Sequence, residues 1–222
     1  MNMPPSSALP VPATQTPTRA MVLTLGLVAA ICGLIIVSAY EGSLSAVRDN
    51  RRVALERAIT KVLPGANKTI SYLALPDGAI VAASGGDAPV GTLRFHAAYD
   101  AKGSLMGIAA EGSAKGYADT VRILFGYSPP CACIVGIGDK ILTDTAFLAN
   151  FKALDTRLNA ELSGLANEVK TVKHGTKTQA WQVDAISGAT ITSRAVGRAI
   201  NEASQALLPR LVPKLEQIQK AP

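Results

Sequence analysis

From Ala20 to Tyr40 the chain runs 21 residues without a charged side chain, bounded by Arg19 and Glu41. At about 1.5 Å of rise per residue, roughly 20 apolar residues in a helix cross a hydrocarbon core of about 30 Å. Only a helix among open-ended structures satisfies its own backbone there. Val37-Ser38-Ala39 resembles a small-residue cleavage site. The apolar run, however, exceeds the roughly 7–15 residues of a signal peptide, and its approach is uncharged up to Arg19. The pattern predicts an uncleaved transmembrane helix over 19–41. Residues 1–18 hold five prolines and no charged side chain, a composition that stays extended and buries little.

The flanking charges are ambiguous about orientation. Arg48, Arg51 and Arg52 follow the span, whereas only Arg19 and the amino terminus precede it. Taken literally, the positive-inside rule favours a cytoplasmic C-terminal part, but long domains translocate largely regardless of charge. The formal net charge is +6, with no block of basic residues. That distribution argues against a nucleic-acid surface and suits a domain beside an anionic bilayer.

Beyond the span, Leu44, Val47, Leu55, Ala58, Ile59, Val62 and Leu63 recur mostly at three- and four-residue spacing. They predict a juxtamembrane helix over 42–65 that stops at Pro64-Gly65. Strand-like runs follow at 69–75, 79–83, 92–99 and 105–110, with Pro76-Asp77-Gly78 and Asp100 to Gly103 as turns. Further apolar runs at 121–125 and 131–137 read as strands, the latter as a central one. Residues 143–165 read as helical and 180–183 as a short strand. From Thr192 helical spacing resumes, ending near Pro209 or Pro213. Strands grouped between helices predict an α+β domain over 66–210, with a C-terminal tail over 211–222. Aromatic residues make up 5% of the chain, so the core must rest on Ala, Val, Ile and Leu. Cys131 and Cys133 form a C-x-C without further ligand-type partners at metal spacing, and read as two small residues on one face of a buried strand. A redox or interaction role is the alternative.

The stretch Asp184 to Val196 carries the chemistry. A strand ends near Asp184, Ser187-Gly188 makes a small-residue turn, and a helix begins near Thr192 or Ser193. Free N–H groups and the helix dipole at such a start attract a phosphate. Arg194 in the first turn adds a charged donor, and the Thr190 and Thr192 hydroxyls sit beside the anion site. An ordinary capped helix accounts for the same pattern, since Ser and Thr are common caps.

Ser187-Gly188-Ala189-Thr190-Ile191-Thr192 matches the flavinylation motif S-G-A-[ST]-x-T, and the chain here resembles the FMN-binding domain family. That family includes the G component of the Rnf-type ion-translocating oxidoreductase and the C component of the sodium-translocating NADH:quinone reductase. The string continued through Val196 is similar to the Rnf component. Val62-Leu63-Pro64-Gly65, Gly116-Tyr117 and Ile123-Leu124-Phe125-Gly126 resemble further family segments. The resemblance implies FMN bound covalently, through a phosphodiester to Thr192, with Ser187, Gly188, Ala189, Thr190 and Ser193 around it. It implies no catalytic residue and no metal ligand in this chain.

A free threonine hydroxyl is a poor nucleophile. Neither His96 nor His174 lies near it in sequence, so attachment by a separate enzyme is expected, and the resemblance implies a magnesium-dependent flavin transferase that takes FMN from FAD. The resemblance further implies a single-pass protein of the bacterial inner membrane, with an extracytoplasmic domain and other membrane subunits of a redox complex as partners. One departure stands out. The family's H-x-E-T-P-G-L-G-like stretch is missing where Cys131 to Ile137 leads into Gly138-Asp139-Lys140-Ile141. The resemblance therefore implies the attachment point but not the usual surroundings of the flavin ring. A membrane-anchored assembly protein with an unmodified Thr192 is the reading outside the flavin class.

Overall fold

The computed structural model describes residues 17–83, 89–138 and 144–220. It divides into two units, Met1–Arg51 and Arg52–Pro222. Helix α1 spans Thr18–Val62 without a break, so the expected boundary between residues 41 and 42 is not marked by any interruption. In the first unit its apolar side chains are exposed on every side: Leu23 and Leu34 are 73% and 70% exposed. A helix apolar all round needs an apolar surrounding. Among the described residues this is the one helix long and apolar enough to cross a membrane.

In the second unit α1 becomes one-sided. Leu55, Ala58, Ile59 and Val62 pack with Leu63 against one face of a sheet. The helix stops because Pro64 supplies no N–H and Gly65 turns to φ +97°, a conformation that favours glycine.

Strands β1 (Lys68–Ala74), β2 (Ile80–Ala82), β3 (Leu93–Tyr99), β4 (Leu105–Lys115), β5 (Thr120–Ser128), β6 (Cys133–Gly138) and β7 (Leu154–Asp155) form one sheet in the order β2-β1-β3-β4-β5-β6-β7. Every neighbouring pair is antiparallel. The turns work as their residues dictate. Asp77 Oδ1 accepts from Ala79 N at 2.9 Å, and Asp100 Oδ1 accepts from Lys102 N and Ser104 N, both at 2.8 Å.

Alternation along the strands assigns the two faces. Phe95, Ala97, Tyr99, Ile108, Ala110, Ile123, Phe125 and Tyr127 face the main core, whereas Ala98, Ala109 and Leu124 face the end of α1. Helix α3 (Thr190–Leu211) covers the main core face with Val196, Ala199, Ile200, Leu207, Leu208 and Leu211. Glycine allows the close approach on both sides. A Cβ at Gly112 would meet the Ala199 carbonyl oxygen at 2.5 Å, and one at Gly126 would meet that of Val62 at 2.9 Å.

Several expectations need correction. Among the described residues of 143–165 the only helix is the short α2 (Thr145–Ala149), capped by Asp144 Oδ1. Phe147, Phe151, Leu154 and Leu165 are buried at spacings that one helix would serve, yet the chain leaves the helix after Ala149, contributes β7 and turns at Leu162, which sits at φ +54°. Strand β6 pairs with the two-residue β7 on its outer side, so it is next to the edge of the sheet rather than central. A separate parallel pair joins β8 (Lys170–Val172), which the pattern does not reveal, to β9 (Gln182–Asp184). Helix α3 passes through Pro209, held by the buried Leu208 and Leu211, and a 3-10 helix follows over Val212–Ile218. Ile218 is buried and Ser104 bridges to Lys220, so residues 211–220 pack onto the domain instead of trailing from it. Cys131 and Cys133 are not free residues on one strand face. Cys131 lies exposed in the turn before β6 and is bonded to the buried Cys133. Asp139, Lys140 and Ile141, which bear on the shortened family segment, lie outside the described residues.

Candidate functional site

The chain leaves β9 at Asp184 and reaches α3 through a turn whose geometry follows from its residues. Gly188 takes φ +80° with nothing within 4 Å of where a Cβ would stand. Ala189 is the N-cap, and no side chain caps the helix. The expected start near Thr192 is therefore two residues late: Thr190 is the first helical residue. Of the two threonines, Thr190 is exposed and Thr192 half-buried.

Ser193 explains how the turn holds without a cap. Its buried hydroxyl donates to the Ala189 carbonyl and accepts from Ile186 N, both at 3.0 Å. Ser193 thus ties the two ends of the Ser187-Gly188 turn together. The first i→i−4 bond at this terminus is made by Ser193 N to Ala189 O at 3.0 Å. The N–H groups of Thr190, Ile191 and Thr192 have no acceptor among the described residues. The Thr190 and Thr192 hydroxyls are not engaged by any described side-chain bond either. A positive helix end with three open donors, two free hydroxyls and the exposed Arg194 is a phosphate-type site.

Beside this terminus lies a cavity of about 270 Å³, lined in part by Asp144, Asn150, His174, Asp184 and Ser187. Asn150 organises it. Its Nδ2 donates to the carbonyls of Phe147 and Asp184, and its Oδ1 accepts from Asp184 N and Lys177 Nζ. Burial pushes the Lys177 ammonium below its usual range, partly offset by the nearby Asp184 carboxylate. Asp184 Oδ2 accepts from Gly175 N at 2.9 Å, while its buried Oδ1 has no partner among the described residues.

His174 also belongs here, a residue that sequence reasoning misses. Its Nδ1 lies 2.9 Å from the Ala185 carbonyl, an acceptor, so Nδ1 carries the proton, and the ring stands beside Ser187 in the same cavity. Only the parallel pairing of β8 with β9 brings it there, and nothing in the linear pattern signals that pairing. His96 lies elsewhere, buried on β3 with Nδ1 2.9 Å from Ser71 Oγ. Ser187, Gly188, Ala189, Thr190, Thr192 and Ser193 all fall in one turn and the first helical turn of α3.

An antiparallel sheet with an uncapped helix start beside a polar cavity defines an α+β domain. Residues 116–205, from β5 through most of α3, match the FMN-binding domain family. No curated protein sequence matches the chain. The crystal structure of NqrC from Shewanella oneidensis superposes with a TM-score of 0.56 at 17% identity, covering 76% of this chain and 99% of that one. The C component of the Na(+)-translocating NADH-quinone reductase from Parabacteroides distasonis gives a TM-score of 0.56 at 17% identity, covering 76% and 96%. These two likenesses are of fold.

Proposed function

We propose that this chain is a membrane-anchored electron-transfer subunit with FMN bound covalently, through a phosphodiester, to Thr192. The observation that carries the reading is the uncapped start of α3: three unpaired N–H groups beside the free Thr192 hydroxyl, inside the stretch that matches the FMN-binding domain family. The N–H groups of Thr190, Ile191 and Thr192 hold the phosphate, Ser193 fixes the turn, and Arg194 adds charge. The flavin, when bound, supplies the redox chemistry, and the protein supplies its position and electrostatics. Attachment requires an activating base or metal. A separate flavin transferase supplies that activation.

The extended motif through Val196 favours an Rnf-type ion-translocating complex, with other membrane proteins of that complex as partners. The fold likeness to NqrC favours a second reading, the equivalent component of a sodium-translocating NADH:quinone reductase. The α1 segment is the anchor in either case. A Cys131–Cys133 bond supports an extracytoplasmic domain, since disulfides persist in oxidising compartments. Co-production of the full chain with a flavin transferase tests the reading. Fluorescence in a denaturing gel, with one added FMN mass on the peptide containing Thr192, is expected. A peptide of unmodified mass would leave only the assembly-protein reading. A C-terminal phosphatase reporter active in the periplasm is expected for the topology.

A further inference from the structure

We propose that Cys131–Cys133 is an exchangeable redox disulfide, opened by an external thiol through attack on Cys131. The pair lies in the turn joining β5 to β6. Its contribution as a crosslink is small. A disulfide stabilises mainly by restricting the unfolded chain, and that restriction grows with the length of the loop closed. Here the loop contains one intervening residue, Ala132, while a continuous apolar core already joins the sheet to α3.

The turn is also held in an unfavourable shape. Ala132 sits at φ +49°, a left-handed conformation that side chains with a Cβ rarely adopt. Its carbonyl is pinned by Thr156 N and Thr156 Oγ1, each at 3.2 Å, and Thr156 is buried.

The two sulfurs differ in access. Cys131 is exposed, whereas Cys133 is buried in β6 between Ser128 of β5 and Asp155 of β7. Exchange proceeds by thiolate attack on one sulfur, with the other leaving, so the accessible Cys131 is the point of entry. The external thiolate bonds to Cys131 Sγ, the Cys131–Cys133 bond breaks, and Cys133 leaves as a thiolate that takes a proton from water. A second external thiolate then attacks the external sulfur of the mixed disulfide and releases Cys131, which is protonated in turn. The pair gains two electrons and two protons, and the external thiols are oxidised to a disulfide. Such a reductant is either a small thiol or a protein with a C-x-x-C dithiol.

The full chain in detergent, with Cys32→Ser so that every thiol counted belongs to the pair, separates these possibilities. It is incubated in one arm with millimolar reduced glutathione and in the other with reduced thioredoxin, then alkylated and weighed intact. Two added alkyl groups in either arm are expected, and the responsive arm identifies the class of reductant. A pair that stays oxidised in both arms until the protein is denatured overturns the proposal. In the same background, Cys133→Ser, which leaves Cys131, is expected to form a mixed disulfide with oxidised glutathione at least tenfold faster than Cys131→Ser. Equal rates overturn the entry point. The double variant is expected to melt within about 5 °C of the parent, and a larger fall would mark the bond as a structural crosslink. None of these readouts depends on flavin.

Discussion

The end of α1 and the body of α3 lie over opposite faces of one sheet, and the end of the first and the start of the second are used differently. At the end of α1, packing occupies the terminus. The Val62 carbonyl lies above Gly126 and Gly136, Leu63 fills the space over Gly107, and Leu63 N bonds to Ile59 O at 2.8 Å. At the start of α3 the packing begins only at Ser193, and the three preceding N–H groups are left over. The same sheet thus supports one helix end closed over by packing and one whose remaining donors suit a ligand. A binding site here is an unfinished terminus held rigidly by its neighbours.

The largest effect expected from this contrast is at Thr192. Thr192→Ala removes the proposed attachment atom and is expected to abolish covalent flavin fluorescence in a denaturing gel, whereas Thr190→Ala reduces it. Equal loss in the two variants would mean that the first turn acts as a unit and that Thr192 is not singled out. Neither substitution removes a buried contact, so melting temperatures measured without flavin are expected to move little.

The next test compares the faces directly. Gly112→Val and Gly126→Val each push a branched side chain against backbone, at Ala199 and Val62 respectively. Both are expected to cost about 1–3 kcal/mol or more in chemical denaturation. Only Gly112→Val displaces the helix that carries the site, so it alone is expected to lower flavin loading at temperatures where both variants are folded. Matching losses of loading would show that the two faces are not independent.

A smaller effect is expected at the residue that finishes the turn. Ser193→Ala leaves Ile186 N unpaired in a partly buried position, at a cost of about 1–3 kcal/mol. Loading should fall in part, and Ser193→Thr, which keeps the hydroxyl, should recover some of it. Wild-type stability in the alanine variant would break the claim that Ser193 replaces a cap.

Much of this arrangement is legible in the sequence, and the exceptions have physical causes. The strands from Lys68 to Tyr99 carry alternating patterns and Asp-Gly turn chemistry, which are local signals. The apolar run of α1 is legible for the same reason. The start of α3 reads two residues late because Ser and Thr suggest caps, whereas the cap here is Ala189 and Ser193 bonds backward from inside the helix. The segment from Phe147 to Leu165 misleads because its buried apolar residues recur at helical spacing, whereas the helix stops at Ala149 and the later ones are buried from β7 and irregular backbone. His174 is unreadable as a cavity residue because its place depends on β8 pairing with β9. The motif residues Ser187 to Ser193 are legible because they are contiguous, and the cavity beside them is not because its lining is assembled from three separate stretches.

The least perturbing test concerns the α1 side of the sheet. His96 alternates onto the same face as Ala98 and Ala109, is 4% exposed, and has Ser71 Oγ 2.9 Å from Nδ1. Burial holds its pKa below the ordinary value of 6.5, and the Arg94 charge lowers it further. The unfolded chain therefore binds a proton at His96 more readily than the folded one. The resulting stabilisation is present above about pH 6.5 and is lost as the pH falls from there through the lower folded value. Urea denaturation of the wild type is expected to show this loss, and His96→Gln should flatten that part of the profile. Because one ring on the packed face is involved, flavin attached on the other face should remain in place across the same range. A pH-dependent release of flavin signal that disappears in His96→Gln would show that the two helix ends communicate through the sheet, and the division drawn here between a packed and an unfinished terminus would fail.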